Sequence, residues 1–178
     1  KRPVTTFSDA SFASTIRLES TTGSIVYVYG CPISWKHQVQ KVRAKSTCDS
    51  EFIAQSDVLV ISEGVHSLLE FLQTGNNKYE SNPDVMGPLL CDNRSAVINI
   101  KKDSLYEINA RSRHIAVRYS QVRDQASRLI FCPTKLMLAD GLTKGIQCGK
   151  IYRQIFFPQE VHKLEDPEID CSYAAIDY

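Results

Sequence analysis

The sequence predicts an α/β fold with a mixed, five-stranded sheet flanked by helices, and three observations support this class. Three β-rich segments come first, at about residues 3–9, 23–30 and 32–38. A long segment with apolar residues every three or four positions follows, at about residues 49–73, and this spacing is typical of a helix packed against a core. Two short apolar strands then alternate with helical segments, so the predicted order is βββαβααβα.

The second half of the chain supplies these two strands, at about residues 88–92 and 128–132. Helices are predicted between and after the strands, at about residues 94–102, 112–127 and 136–144. Turn-forming residues separate most of these segments, and Pro133 bounds the last strand. The alternation therefore continues almost to the end of the predicted domain.

Beyond about residue 146 the periodic pattern weakens. We expect a domain of residues 1–146 and a C-terminal extension of residues 147–178 that is partly helical, then acidic and loosely ordered. Charge divides at nearly the same point. Residues 1–150 hold 19 Lys and Arg against 14 Asp and Glu, a balance of +5, whereas residues 151–178 hold 2 against 6, a balance of −4. A nearly neutral chain thus combines a basic body with an acidic tail.

Composition indicates an intracellular domain with one core. The 178 residues are 43% hydrophobic and 23% charged, which excludes a disordered chain, and no apolar run approaches the length of a membrane span. The chain begins without Met or a signal peptide, so we expect it to be a piece of a longer polyprotein. Its six Cys and four His show no ligand spacing, which argues against zinc and favours reduced thiols.

Four carboxylates lie where they are awkward for packing and useful for binding a metal ion. Glu51 lies one turn before the apolar stripe of the long helix, on its predicted buried side. Asp9 and Asp92 end apolar strands, and Asp140 lies between Leu residues in the last helix. Because an isolated buried charge costs several kcal/mol, such groups must be paired, protonated or bound to a cation.

Each carboxylate also has an ordinary alternative explanation. The helix start could fray and expose Glu51 to water, Asp92 could cap a helix, and Asp9 could be a turn residue. Asp140 could be a first-turn Asp favoured by the helix dipole. The four together are harder to explain in this way than any one alone.

Basic residues form two clusters that could hold phosphates, although each could also be an ordinary solvated face. One comprises Lys36, His37, Lys41, Arg43 and Lys45, and the other comprises Arg111, Arg113, Arg118, Arg123 and Arg128. Trp35, beside the first cluster, is predicted to be a core or edge-strand aromatic rather than a base-stacking platform.

Several blocks of the sequence carry a resemblance to a known family. The blocks are Ser8-Asp9-Ala10-Ser11-Phe12-Ala13, Ser20-Thr21-Thr22-Gly23, Ile33-Ser34-Trp35-Lys36, Ser46-Thr47-Cys48-Asp49-Ser50-Glu51-Phe52, Cys91-Asp92-Asn93-Arg94-Ser95-Ala96, Arg111-Ser112-Arg113-His114-Ile115 with Arg118-Tyr119, and Leu138-Ala139-Asp140-Gly141-Leu142-Thr143-Lys144. In their order and approximate spacing they resemble the ribonuclease H domain of copia-type retrotransposon Pol polyproteins, over about residues 4–146.

This resemblance implies a ribonuclease H-like fold with helices on both faces of the sheet, and a catalytic site of Asp9, Glu51, Asp92 and Asp140. The four would bind two Mg²⁺ ions, for which Mn²⁺ can substitute. Asp9 would bridge both ions, Glu51 and Asp92 would hold the one near the leaving group, and Asp140 would hold the one that activates water.

The resemblance also implies the partners. The substrate would be an RNA–DNA hybrid, recognised through its 2′-hydroxyls and phosphates. Candidate nucleic-acid contacts are Lys36, Lys41, Arg43, Asn93, Arg94, Arg113 and His114. We expect the reverse transcriptase and integrase regions of the same polyprotein as partners, no membrane, and a location in cytoplasmic virus-like particles or in the nucleus. His114 does not match the family's mobile catalytic histidine, so a structural or phosphate-facing role is predicted.

Three hypotheses follow from the sequence. The first is an endonuclease that cleaves the RNA strand of hybrids during reverse transcription. The second is a decayed or domesticated nucleic-acid-binding module, suggested by departures from the family pattern: Cys48, Asp49 and Ser50 replace the usual residues before the glutamate, Arg94 replaces Gln, and Gly141 replaces Ile. The third is a structural domain that supports an adjacent polymerase or integrase.

Overall fold

The computed structural model describes residues 4–75, 86–101 and 113–144, together with Ile155. Its strands and α-helices are β1 Val4–Ser11, β2 Thr21–Val28, β3 Cys31–Val39, α1 Thr47–Thr74, β4 Leu89–Cys91, α2 Arg94–Lys101, α3 Arg113–Asp124, β5 Leu129–Phe131 and α4 Asp140–Thr143. Single 3₁₀ turns at Ala126–Arg128 and Thr134–Leu136 flank β5. The order of elements is the predicted one.

The five strands form one mixed sheet in the order β3-β2-β1-β4-β5. The first three strands are antiparallel neighbours, whereas β4 runs parallel to both β1 and β5. β1 is therefore the central strand and β4 lies beside it, and the carboxyl termini of these two parallel strands lie at the same end of the sheet. The predicted α/β class with a mixed, five-stranded sheet is confirmed.

Alternation along the strands divides the core between the two faces of the sheet. Val4, Val26 and Leu89 point to one face, where they pack against Phe52 of α1 and against residues of α2 and α3. Residues at the intervening positions point to the other face, where Ile25 and Tyr27 pack against Leu142 of α4 and against Ile155. Helices thus cover both faces, as predicted.

The long helix α1 has well-defined ends. The hydroxyl of Ser46 accepts a hydrogen bond from the main-chain N–H of Asp49 at 3.1 Å, which satisfies one of the free donors of the first turn. At the other end Gly75 adopts a left-handed conformation with φ 69° and donates its N–H to the carbonyl of Phe71. The N-terminal cap keeps the first turns in place, including the turn that carries Glu51.

Two predicted helices differ from those observed. The predicted helix 112–127 ends at Asp124, because Gln125 leaves the helical conformation and a 3₁₀ turn leads Arg128 into the core. The predicted helix 136–144 is a 3₁₀ turn followed by the short α4, since Met137 takes an extended conformation and is buried against Cys132 and Ala139. Burial of one side chain here overrides local helix propensity.

Two further predictions concern Trp35 and the C-terminal extension. Trp35 lies on the edge strand β3 with 52% of its surface exposed, so the edge-strand alternative is confirmed. Apart from Ile155, the predicted extension 147–178 lies outside the described residues. Within the described ranges, no helix combines the length and the apolar character needed to cross a bilayer.

Candidate metal centre

The register of the central strands brings Asp9 and Asp92 together. The parallel pairing aligns Thr6 with Leu89 and Phe7 with Leu90, and the same offset carried forward aligns Asp9 with Asp92. Asp9 is buried in the body of β1, and Asp92 follows the last residue of β4 directly. Asp9 is therefore a strand residue, and the turn alternative for it is wrong.

Asp140, the first residue of α4, completes a group of three carboxylates. One oxygen each from Asp9, Asp92 and Asp140 lies within 4.8 Å of the other two. Across the described ranges, this is the one group of three or more His, Cys, Asp or Glu side chains close enough to share a metal ion. Three of the four predicted carboxylates therefore converge.

Glu51 lies beside this group rather than within it. It is 4% exposed in the second turn of α1, so the fraying alternative is wrong. The main-chain N–H of Ala10 donates to its carboxylate, and the Cys91 thiol donates to Oε2 at 3.8 Å. Burial first, and then the charges of Asp9 and Asp92, raise the pKa of Glu51 well above its ordinary value.

Asp92 is not the cap of α2, because its neighbour has that role. The side chain of Asn93 accepts a hydrogen bond from the main-chain N–H of Ala96 at 3.0 Å. The Asp92 carboxylate instead accepts a hydrogen bond from the Thr134 hydroxyl at 3.0 Å. The strand-to-helix junction thus divides the two functions: one residue caps the helix and the other turns its charge toward the cluster.

The local electrostatics disfavour charge on Asp9. Burial raises its pKa to about 6 from the usual 3.8; a hydrogen bond from the Thr143 hydroxyl opposes the shift, and the charges of Asp92 and Asp140 add to it. Lys144 is a further opposing charge. Like-charged groups held this close in a partly desolvated site lower their mutual repulsion by taking up protons or by binding a cation.

Lys144 is the basic residue at the cluster. Its ammonium group lies 2.5 Å from a carboxylate oxygen of Asp140, one helical turn away. The hydrogen bond with Asp140 raises the pKa of Lys144, and the charges of Asp9 and Asp92 act in the same direction. The position of Asp140 in the first turn of α4 also agrees with the helix-dipole alternative, which is compatible with a place in the cluster.

All four predicted carboxylates line one open cavity of about 410 Å³. Its other lining residues are Ala10, Thr47, Asn93, Arg94, Ser95 and Lys144. Two of the predicted nucleic-acid contacts, Asn93 and Arg94, are therefore at the cavity. The remaining described ones, Lys36, Lys41 and Arg43, are exposed on β3 and the loop after it, outside the cavity lining. The side chains of Arg113 and His114 lie outside the described part of the structure.

The two predicted basic clusters differ in their exposure to solvent. All five residues of the first cluster are exposed. In the second, Arg128 is fully buried and hydrogen-bonded, and Arg118 pairs with Asp57 of α1, so neither belongs to a free phosphate-binding face. Arg111 lies outside the described residues. The prediction of a surface position is therefore wrong for Arg128, because the 3₁₀ turn after α3 leads this residue into the core.

Thr143, Lys144 and Cys91 were missed as individual site residues. All three occur in the family-like blocks, and for Thr143 and Cys91 that was the one available signal. The contacts of Thr143 with Asp9 and of Cys91 with Glu51 join residues 134 and 40 positions apart, so local periodicity does not reveal them. Lys144 pairs with Asp140 four positions away, a local helical spacing that could have indicated it.

The chemistry of the site fits a divalent cation. Its donors are carboxylate oxygens, which hard cations prefer, and their crowding needs positive charge for stability. The three Asp residues, with Glu51 beside them, would hold the ion. The cluster can therefore bind metal.

The fold and this centre define an α/β domain of the ribonuclease H-like class with a carboxylate cluster at the carboxyl end of its central strands. Comparison with curated proteins shows which proteins the chain is similar to. The chain is 31% identical over 149 residues to a retrovirus-related Pol polyprotein from transposon TNT 1-94 of Nicotiana tabacum, a match that covers 81% of this chain and 10% of the relative. The corresponding proteins from transposons RE2 and RE1 of Arabidopsis thaliana are 32% identical over 145 residues and 31% identical over 131 residues.

The chain is thus related to the Pol polyproteins of copia-type transposons, and the resemblance seen in the motifs is confirmed. It spans about a tenth of the length of the relatives that it matches: 10%, 9% and 8%. No family model and no solved structure matches the chain.

Proposed function

We propose that this Pol segment is a metal-dependent endonuclease that hydrolyses the RNA strand of RNA–DNA hybrids during retrotransposon reverse transcription. The observation that carries the proposal is the convergence of Asp9, Asp92 and Asp140, with Glu51 beside them, in one open cavity. Relatives that are Pol polyproteins support the biological setting.

In this proposal the three Asp residues and Glu51 hold two Mg²⁺ ions, with Mn²⁺ as a substitute. When bound, such ions neutralise phosphate charge and lower the pKa of a coordinated water. The protein supplies the ligand geometry: β1 and β4 fix Asp9 and Asp92 through their register, and α4 brings Asp140 to them from the other face of the sheet.

Residues at the mouth of the cavity are suited to a phosphodiester strand. Arg94 is exposed beside the cluster and offers a guanidinium for bidentate phosphate contact, and Asn93 and Ser95 offer polar groups next to it. Selectivity for RNA would come from contacts with 2′-hydroxyls across the wide minor groove of the hybrid. Lys36, Lys41 and Arg43 are proposed to contact backbone phosphates farther from the cavity.

The proposed partners are the hybrid and the reverse transcriptase and integrase regions of the same polyprotein. The match covers 81% of this chain and 10% of the first relative, which is therefore about eight times as long and leaves room for such regions. The proposed location, in cytoplasmic virus-like particles or the nucleus, follows from the same setting and stays a prediction.

A binding module without cleavage activity is the second candidate. The position of Glu51 favours it, since this carboxylate lies outside the group of three and its raised pKa favours the neutral form. Of the substitutions before Glu51, Asp49 does not add to this case, because it fits the helix start, where its carboxylate accepts the main-chain N–H of Lys45 at 3.1 Å.

Cleavage of a labelled hybrid by the full 178-residue chain, with Asp92→Asn as the test variant, distinguishes the candidates. We expect Mg²⁺-dependent cutting of the RNA strand that falls by about 10²- to 10³-fold in Asp92→Asn, because the cluster loses a charge that acts directly at the reacting phosphate. The matched control is Asp124→Asn, the same chemical change at an exposed residue of α3 outside the cavity lining.

Folded wild-type protein that binds hybrid but does not cut it with Mg²⁺ or Mn²⁺ would exclude the endonuclease and support the binding module. Failure to bind hybrid at low salt would exclude both candidates and leave the structural role beside a polymerase.

A further inference from the structure

A buried threonine reaches the centre of the carboxylate cluster. The hydroxyl of Thr143, in the last position of α4, donates a hydrogen bond to Oδ2 of Asp9. Thr143 is 7% exposed and Asp9 is 4% exposed, so this bond forms away from bulk water. A hydrogen bond from a hydroxyl to a carboxylate is charge-assisted, and such bonds are stronger than neutral ones.

The helix that carries Thr143 sits directly on the strand opposite Asp9. Gly23 of β2 is the cross-strand partner of Asp9 in the antiparallel register. A Cβ atom added to Gly23 would lie 2.7 Å from the carbonyl oxygen of Ala139, 2.9 Å from Cγ2 of Thr143 and 3.0 Å from Cβ of Leu142. Only a residue without a side chain lets α4 approach this closely.

These contacts link two members of the cluster through one helical turn. Thr143 holds Asp9, and three residues earlier on the same helix Asp140 points into the same group. The relative position of the two carboxylates is therefore set by the length of α4 and by the Thr143–Asp9 hydrogen bond.

A simpler role for Thr143 would be to cap its own helix, because its hydroxyl oxygen also lies 3.1 Å from the main-chain oxygen of Asp140. A hydroxyl has one proton to donate. The carboxylate competes for it better than the amide carbonyl does, since the carboxylate bears the greater negative charge.

We propose that Thr143 is a positioning residue for the metal centre: its hydrogen bond orients the Asp9 carboxylate toward Asp92 and Asp140. The absence of a side chain at Gly23 allows α4 to pack closely enough for this hydrogen bond to form. The inference rests on the metal binding in the proposed function. Residues that hydrogen-bond to metal ligands commonly change metal affinity when they are replaced, typically by about 10- to 100-fold.

Calorimetric titration of Mn²⁺ into the full chain tests the role without reference to cleavage. We expect Thr143→Val, which keeps the shape and removes the hydroxyl, to weaken Mn²⁺ binding by about 10- to 100-fold. Thr143→Ser retains the hydroxyl and should stay within about threefold of wild type, which is the rescue that hydrogen bonding predicts. Gly23→Ala should weaken binding too, because it displaces α4 as a whole.

The outcomes separate this inference from the proposed function. Wild type that binds Mn²⁺, together with folded Thr143→Val that binds it equally well, would overturn the positioning role and leave the metal centre intact. A lower melting temperature with unchanged Mn²⁺ affinity would likewise assign Thr143 a structural role only.

Two other variants keep the inference testable if Thr143→Val fails to fold. Equal Mn²⁺ affinity in Gly23→Ala and wild type would overturn it, and so would a loss of Mn²⁺ affinity of about 10-fold or more in Thr143→Ser, which keeps the hydroxyl. Wild type that binds no Mn²⁺ would overturn the proposed function itself.

Discussion

Buried charge occurs at both ends of the parallel strands, and the two ends treat it differently. At the amino ends of β4 and β5, Arg128 is 0% exposed. Its guanidinium donates to the carbonyl of Gly87 at 2.9 Å and to the hydroxyl of Ser62 at 2.8 Å. Gln125 and the sulfur of Met86 also accept from it, each at 3.3 Å. This charge is surrounded by acceptors and closed off from solvent.

At the carboxyl end the arrangement is reversed. Asp9, Asp92 and Asp140 bring like charges together beside an open cavity, with Glu51 close by. Here burial raises the pKa values of Asp9 and Glu51, whereas the Arg128 guanidinium is hydrogen-bonded to buried acceptors. The difference shows how to distinguish structural from functional buried charge. A buried charged group that is fully hydrogen-bonded stabilises the fold, whereas a cluster of like charges at a cavity favours binding of a ligand of opposite charge.

The largest expected effect is at the Arg128 end. Arg128→Met keeps much of the apolar stem and removes every donor, so the carbonyl of Gly87 and the Ser62 hydroxyl lose a buried partner. We expect the free energy of unfolding to fall by about 2–5 kcal/mol. Urea denaturation of the metal-free protein measures this change in the free energy of unfolding.

Arg17→Met, the same change at an exposed residue of the loop between β1 and β2, is the control and should change stability by less than about 0.5 kcal/mol. Equal effects of the two substitutions would contradict the structural role given to Arg128.

The next effect has the opposite sign and lies at the cluster. Because the pKa of Asp9 is raised to about 6 in the fold from 3.8, its ionisation costs stability, a cost that is absent below about pH 4 and complete above about pH 6. The stability of the metal-free protein should therefore fall as pH rises through this window, by at most about 3 kcal/mol from this group. Asp9→Asn should flatten that part of the profile and stabilise the protein at pH 7.

Denaturation curves across this pH range check the sign. Asp124→Asn is again the matched control and should leave the profile unchanged. A wild-type stability that rises with pH between 4 and 6, and does so equally in Asp9→Asn, would show that the cluster is not strained by its charge. Millimolar Mg²⁺ at pH 7 should raise the melting temperature of wild type more than that of Asp9→Asn.

The smallest effect concerns Lys144, whose ammonium pairs with Asp140 at the cluster. Lys144→Met removes a cation that competes with the metal for Asp140, so Mn²⁺ should bind about two- to fivefold more tightly, a modest change because the side chain is 60% exposed. Titration calorimetry at two salt concentrations measures it. Weaker Mn²⁺ binding in Lys144→Met than in Lys135→Met, the same change at an exposed residue, would show that Lys144 supports the site rather than competes with it.

Most of the fold could be predicted from local pattern. The apolar spacing after Ala54 and the β-branched run before Asp9 predicted α1 and β1 within a few residues, because core-facing periodicity and burial agree there. The structure of residues 136–144 was harder to predict. Met137 is buried by a tertiary contact that local propensity does not encode, and so one predicted helix is a turn followed by α4.

The carboxylates of the site could be predicted from the sequence, whereas the residues that hold them in place could not. The carboxylates are recognisable because a charge at a predicted buried position needs an explanation. By contrast, nothing in the sequence separates Arg128 from the Arg residues before it, and its burial depends on the turn at Gln125. Thr143 gives no local signal because its partner, Asp9, lies 134 residues away in sequence.

The alignment of Asp9 with Asp92 has a consequence for how the protein matures. Side chains along a strand alternate between faces, so a slip of β4 by one position against β1 would turn Asp92 away and separate the acids. Ion uptake would therefore occur only after the central strands have paired correctly. A newly made chain with mispaired strands would then be inert, and manganese capture during refolding would report the moment at which correct pairing is reached.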